Sequence, residues 1–248
     1  VDVIVCGDKL ELGRRAARDG AQAITQTIRD TGEANIVIPT GGSQFEMIEA
    51  LIREPVDWAR VSVFHLDEYV GLPASHPASF RRFLRERFLD LLPAEVKEVH
   101  EVNGEGDVNA ECRRLKQLIG SRAIAVSFVG IGENGHLAFN DPPADFETTE
   151  PFIVVELDEA CRMQQVGEGW YPDLNAVPRR AISMSVQQVM KSKRLIFSVP
   201  DERKAKAVKA SLEGPISPTM PSSILRTHPN CVVYLEPKSA SLLSKPIS

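Results

Sequence analysis

The chain has 248 residues, enough for one large domain or two small ones at roughly 150 residues per domain, and enough to bury a sizeable core. Lys and Arg total 29 against 34 Asp and Glu, a formal charge of −5, which argues against general electrostatic binding to nucleic acid or anionic lipid but leaves room for a local basic pocket. With 43% hydrophobic and 25% charged residues, the composition is that of a folded globular protein and too apolar for a disordered one.

Leu10, Leu12, Ala16, Ala17, Ala21, Ile24 and Ile28 lie near helical spacing and predict a helix over 9–31, ended by Gly32. Ile36 to Ile38 is a short buried strand. Residues 43–53 read as a helix with Phe45, Ile48 and Leu51 inside, and Val61 to Phe64 as a strand. A basic amphipathic helix follows over 78–92 and another helix over 108–120. Ala123 to Val129 is nearly continuous apolar sequence, the pattern of a central parallel strand covered on both faces. Residues 181–185 and 194–198 read as strands with a short helix between them, 201–213 as a helix, and Val232 to Leu235 as a last strand. There is no internal repeat or low-complexity tract. Strands alternating with helices imply an α/β fold with a mostly parallel sheet and right-handed crossovers. In such a sheet the ligand site lies outside the carboxyl ends of the strands.

The longest apolar run, Ala123 to Ile131, is about nine residues, and a membrane-crossing helix needs about 20. Residues 1–20 are charged and lack an apolar core, so no signal peptide and a cytoplasmic location are expected. Cys6, Cys112, Cys161 and Cys231 form no C-x-x-C pair, which excludes the common zinc and redox motifs and predicts four reduced structural thiols.

Three strand-to-helix turns carry chemistry. Pro39-Thr40-Gly41-Gly42-Ser43 has two glycines that let backbone N–H groups converge and two hydroxyl donors. It suits a phosphate or another anion, or else is a plain turn with Ser43 capping the helix. His65-Leu66-Asp67-Glu68-Tyr69 places two carboxylates at a strand end, where one can face a cleft and the other the protein frame; the cleft-facing one could move a proton at carbon. The third turn, Gly130 to Pro143, contains G-x-G-x-x-G after a strand. Asn140, Asp141 and Pro142-Pro143 stop any helix within two turns, and Pro151 to Glu156, where a strand ending in a ribose-binding acid would fall, follows an irregular polar stretch, so no dinucleotide is expected. What remains is a loop displaying Asn134, His136 and Asp141, which is acid–base equipment. Asp67, His136 and Asp141 could form a carboxylate–histidine metal site, but no ligand spacing supports one, and no metal is expected.

Six segments together resemble the glucosamine-6-phosphate deaminases (isomerases), whose superfamily includes the 6-phosphogluconolactonases. They are PTGGS at 39–43, LDEYVGLP at 66–73, HPASF at 76–80, NGEGDVNAEC at 103–112, GIGENGHLAFNDP at 130–142 and RKAKAVKASLEG at 203–214. Lactonases typically carry DERxVP and GHTASLFP in place of the second and fifth. The resemblance implies a Rossmann-like three-layer sandwich without a nucleotide. It implies one sugar-phosphate isomerase/deaminase domain over 1–248, with a lid segment around 144–176. The implied reaction takes glucosamine 6-phosphate and water to fructose 6-phosphate and ammonia, with no cofactor and no nucleic-acid or membrane partner; a homo-oligomer is left open. By position, Asp67 aligns with the carboxylate that moves the proton between C2 and C1, and His136 with the base that opens the ring. Asn134 and Asp141 occupy the two assisting positions, and Thr40, Gly41, Gly42, Ser43 and Lys204 align with phosphate ligands.

The chain departs from that pattern at three points. Position 134 is Asn where many deaminases have Asp; an amide can orient His136 but lends it no charge. Position 141 is Asp where the family usually has Glu. Glu168 falls where the family places a phosphate-binding Arg, for which Arg162, Arg179 or Arg180 are candidate substitutes. Trp170 and Tyr171 are read as core. The remaining alternatives are a galactosamine-6-phosphate or other hexosamine-phosphate deaminase, and, further off, a 6-phosphogluconolactonase or a non-catalytic sugar-phosphate sensor.

Overall fold

The computed structural model describes residues 1–244. In chain order the strands are β1 (Asp2–Val5), β2 (Ala34–Ile38), β3 (Val61–His65), β4 (Asp67–Tyr69), β5 (Glu98–His100), β6 (Ile124–Val129), β7 (Phe152–Glu156), β8 (Arg180–Met184), β9 (Arg194–Val199) and β10 (Cys231–Leu235). The α-helices are α1 (Lys9–Thr31), α2 (Phe45–Leu51), α3 (Phe80–Arg87), α4 (Val108–Ile119), α5 (Glu159–Gly167), α6 (Val186–Met190) and α7 (Ala205–Glu213). Helix α1 has the predicted limits: Asp8 caps it by accepting from Glu11 N–H at 2.7 Å, and Gly32 N–H closes it on the Ile28 carbonyl.

Among the described residues, seven strands form one sheet in the order β1-β10-β9-β6-β2-β3-β5. Every pairing in it is parallel. The apolar faces of α1, α2 and α3 cover one side through Leu12, Ile24, Met47, Leu51 and Phe83. Leu115 and Ile119 of α4, Val186 and Val189 of α6, and Ala207 and Val208 of α7 cover the other. The result is a three-layer α/β sandwich of the Rossmann-like kind. All six residues of β6 are buried, as a central strand with both faces covered requires.

The residue pattern groups 181–185 with the parallel set, and the structure corrects that. Strand β8 pairs antiparallel with β4 and β7 in a separate three-stranded sheet. Strands β1, β4, β5 and β7 escape the sequence reading. Three of them have three or four residues, too few to show a period. The predicted helix over 78–92 is also shorter, ending at Arg87 before a 3₁₀ turn over Leu89–Leu91.

The carboxyl ends of β6, β2 and β3 lead into the three loaded turns, and their neighbour β9 leads into the turn that carries Lys204. Glu68 fixes this edge. Fully buried, it accepts from the N–H groups of Tyr69, Phe80 and Arg81 and from Ser79 Oγ, at 2.8–3.1 Å. One carboxylate thus clamps the β4 turn to the start of α3, as the frame-facing member of the predicted pair.

Helix α1 meets α2 at Gly13, where an added Cβ would lie 2.5 Å from the Glu46 carbonyl carbon. Backbone cannot yield as a side chain can. Gly13→Ala is expected to destabilise the fold by about 1–2 kcal/mol after the helix-propensity gain of alanine. Thermal denaturation tests this, and an unchanged or higher Tm would mean that the helices can separate at no cost.

Candidate active site

A cleft at these strand ends is lined by Thr40, Gly41, Ser43, Asp67, His136, Gln164, Gln165, Glu168 and Lys204, with Phe80, Ala138 and Phe139 among its apolar walls. It encloses about 530 Å³ with its open mouth included. Eight of the nine predicted site residues lie in it or bond to a residue that does. Gly42 does not line it; it opens the 3₁₀ turn Gly42–Gln44 that leads into α2.

The first turn is shaped by Gly41, whose φ of +109° is open to glycine and strained for other residues. Gln44, buried behind the loop, donates to the Ser198 carbonyl at 3.2 Å and so holds the turn against β9. Thr40 Oγ1 is buried without a hydrogen-bond partner of proper geometry. Lys204 comes from the turn after β9 and is 2% exposed. Among the described residues its ammonium makes no hydrogen bond or ion pair. Burial pushes it below the usual lysine range, and Arg203 adds to that, while the Glu168 and Glu133 carboxylates oppose it. A buried cation lacking a close partner is costly, and an anion in the cleft would relieve it.

Asp67 is 5% exposed and faces the cleft, while its neighbour Glu68 faces the frame. Burial, reinforced by the negative charge of Glu68, pushes the Asp67 carboxyl well above its ordinary value, with the nearby Thr40 hydroxyl opposing weakly. A buried carboxyl raised in this way beside a cleft is a candidate acid–base group. His65, two residues earlier, is core. Its Nδ1 accepts from Val102 N–H at 3.4 Å, and burial beside Arg81 pushes it down to about 3, so it stays neutral.

The Gly130–Asn140 loop turns tightly, with Gly132 N–H donating to the His136 carbonyl at 3.0 Å and Gly135 N–H to the Gly132 carbonyl at 2.9 Å. A Cβ on Gly132 would lie 2.3 Å from the His136 ring, so only glycine seats the imidazole there. His136 Nδ1 faces Asp141 Oδ1 at 3.3 Å. The shorter acid therefore still reaches the histidine. Burial works to raise the Asp141 carboxyl, but the facing His136 ring, the Asn134 amide and the Asp158 N–H outweigh this and hold it below its ordinary value.

Asn134 makes no hydrogen bond to the ring. Its Oδ1 accepts from the His136 backbone N–H at 3.0 Å. Its Nδ2 donates to Asp141 Oδ1 at 3.1 Å and to Asp158 Oδ2 at 3.0 Å. Asn140 is structural, donating to the carbonyls of Leu137 and Met184.

The candidate substitutes for an arginine at position 168 lie elsewhere. Arg162 is spent on the carbonyls of Leu174 and Val177, and Arg179 and Arg180 are exposed outside the cleft. Glu168 lines the cleft, held by Gln164 Nε2 at 2.8 Å and Trp170 Nε1 at 3.3 Å. Tyr171 is buried against Tyr69 in a satellite core, as expected, and Trp170 is half-buried against Phe83. His136, Asp141 and Cys161 bring potential metal-ligating atoms within 4.8 Å of one another, a different set from the one weighed in the sequence. Burial and the nearby carboxylates push the Cys161 thiol well up. The residues missed by sequence reasoning are Asp158, Gln164 and Gln165. Asp158 carries one visible signal, an acid just before a helix, and that identifies a cap but not a site.

A family model described as glucosamine-6-phosphate isomerases/6-phosphogluconolactonase matches residues 7–234. Glucosamine-6-phosphate deaminase 1 of Bacillus subtilis is 33% identical over 97% of this chain and 98% of its own. The glucosamine-6-phosphate deaminase of Lactobacillus delbrueckii subsp. bulgaricus is 31% identical over 97% and 99%. Among solved structures, a monomeric glucosamine-6-phosphate deaminase superposes with a TM-score of 0.87 at 31% identity, covering 98% of this chain and all of that one. The 6-phosphogluconolactonase of Trypanosoma brucei shares the fold, with a TM-score of 0.79 at 16% identity over 98% of each chain.

The raised Asp67 carboxyl has a stability consequence. The unfolded chain loses this proton near the ordinary value of 3.8, whereas the fold retains it to higher pH. Its contribution to stability is therefore greatest below about pH 4 and falls as pH rises through the folded value. Asp67→Asn is neutral throughout and escapes that loss. Its Tm is expected to exceed that of the wild type at neutral pH, with the gap closing toward pH 4. A gap independent of pH in denaturation curves would show that the carboxyl is not raised.

Proposed function

The chain belongs to the glucosamine-6-phosphate isomerase/6-phosphogluconolactonase family, and we propose that it acts as a glucosamine-6-phosphate deaminase, releasing fructose 6-phosphate and ammonia. The observation that carries this reading is one cleft holding a buried Asp67 carboxyl, the His136–Asp141 pair and an anion-suited end at Thr40–Ser43 and Lys204.

In this reading the substrate phosphate lies against the N–H groups and hydroxyls of Thr40 to Ser43 and takes Lys204 as its counter-ion. The phosphate is a remote handle whose binding fixes the sugar against the acid–base groups. His136 takes the proton of the C1 hydroxyl and returns it to the ring oxygen, opening the hemiacetal. Asp141 supports the imidazolium that forms on the way. Asp67 removes the proton from C2 of the open chain and delivers it to C1, while the C1 oxygen gains a proton and the amino nitrogen gives one up, turning the amino aldehyde into a ketimine. Water adds at C2 and ammonia leaves. The raised Asp67 carboxyl supports this role, because a base of higher pKa takes a carbon-bound proton more readily.

Glu168 beside Lys204 is unfavourable for an anion, and no second cation lines the cleft among the described residues. The phosphate therefore depends on Lys204 and the turn. Segment 144–176 would act as the lid through α5, which brings Gln164 and Gln165 to the cleft, and residues 1–248 would work as one sugar-phosphate domain.

The test is ammonia release by the purified protein from glucosamine 6-phosphate and, in parallel, galactosamine 6-phosphate. Release from glucosamine 6-phosphate supports the reading. Release from the epimer alone changes the sugar and keeps the chemistry. Sugar-phosphate binding without ammonia from either would replace catalysis with sensing. Asp67→Asn is expected to lower kcat by about 10²- to 10⁴-fold with little change in phosphate affinity, and near-wild-type kcat would remove Asp67 from its role.

A further inference from the structure

We infer that Asp158 is a positioning residue for the His136–Asp141 pair, and that it, acting with Asn134, ties that pair to helix α5. The inference builds on the catalytic reading of His136 and Asp141.

Asp158 makes three contacts in three directions. Its backbone N–H donates to Asp141 Oδ2 at 2.9 Å. Its Oδ2 accepts from Asn134 Nδ2 at 3.0 Å. Its Oδ1 caps α5 by accepting from Cys161 N–H at 2.6 Å. Both oxygens of Asp141 are thereby held, Oδ1 by Asn134 and Oδ2 by Asp158. The fork of Asn134 Nδ2 between two carboxylates is specific. Each of its two hydrogens has an anionic acceptor near 3 Å, and an amide nitrogen can supply both. A carboxylate at 134 could supply neither and would add a third negative charge beside two others.

The same residue connects the pair to the cleft wall. Helix α5 starts at the Asp158 cap and delivers Gln164, Gln165 and Glu168 to the cleft. Near its other end, Gln164 Oε1 accepts from Glu133 N–H at 2.9 Å, in the loop that carries His136. The helix is therefore fastened to the His136 loop at both ends, and a shift of α5 would pull on Asp141 and Asn134 through Asp158.

The test is a double-mutant cycle. Asn134→Asp is expected to lower kcat by about 10- to 100-fold, with a smaller effect on KM. In Asp158→Asn the one amide oxygen can keep the cap, but the amide nitrogen then faces Asn134 Nδ2 donor to donor, so this single variant is expected to lose activity by a few-fold of its own. In the double variant the amide introduced at position 158 can donate to the carboxylate introduced at position 134, and part of the loss should be recovered, the contact to Asp141 Oδ1 remaining unreplaced. A second readout is the titration of the His136 imidazole by NMR. The charged and titratable groups around it are Asp141, Asp158, Cys161, Asp67, Glu133, Glu168 and Lys204. Asn134→Asp should move that titration up by about one pH unit, and adding Asp158→Asn should move it back. Equal losses from Asn134→Asp in both backgrounds, or no shift of the imidazole in either, would overturn the inference. If Asn134→Asp does not fold, recovery of folding in the double variant supports the inference and failure to recover overturns it. Lack of ammonia release by the wild type would count against the catalytic reading alone, since the imidazole titration still measures the coupling.

Discussion

Four neighbouring parallel strands ending on one edge is the constraint on which the rest of this molecule depends. Strands β9, β6, β2 and β3 are adjacent and parallel, so the turns that follow them meet over about 15 Å of sheet edge. The edge is covered on both faces by helices and closed by the small antiparallel sheet, which buries the groups it carries. Charged groups placed there keep their charge only if another group answers it.

Each charged residue at that edge meets the condition differently. Glu68 is satisfied by three N–H groups and a hydroxyl and becomes part of the frame. Asp141 is satisfied by His136, Asn134 and Asp158 and stays ionised. Asp67 and Lys204 are left under-satisfied, an acid pushed up and a base pushed down by burial. These are the two groups that gain from a bound substrate. A site whose poorly satisfied groups are its working groups trades stability for chemistry.

The departures from the family pattern take on a physical meaning in this setting. Asn134 is not a weakened partner of the histidine ring but a double donor between two carboxylates. The shorter acid at 141 reaches His136 while its other oxygen is held by the Asp158 N–H. Glu168 has no such compensation from a neighbouring arginine, because Arg162 is turned to the carbonyls of Leu174 and Val177.

Much of this could be read from the chain alone. The limits of α1, the buried run of β6 and the three loaded turns follow from local periodicity, capping residues and glycine placement, which act within a few residues of one another. The division of labour between Asp67 and Glu68 was visible as an alternative, since neighbours on a strand point to opposite faces. The separate β4-β8-β7 sheet was not legible, because a three-residue strand gains its identity only from its partner. Nor were the direction of Arg162 and the role of Asp158, since hydrogen bonds across 17 and 24 residues leave no local pattern. The sequence by itself determined the α/β architecture, the turns that carry the chemistry and the residue types at the site. Tertiary structure decided which carboxyl is raised, which is held ionised and which cation is left for the substrate, because burial and charge neighbours are set only when distant segments meet.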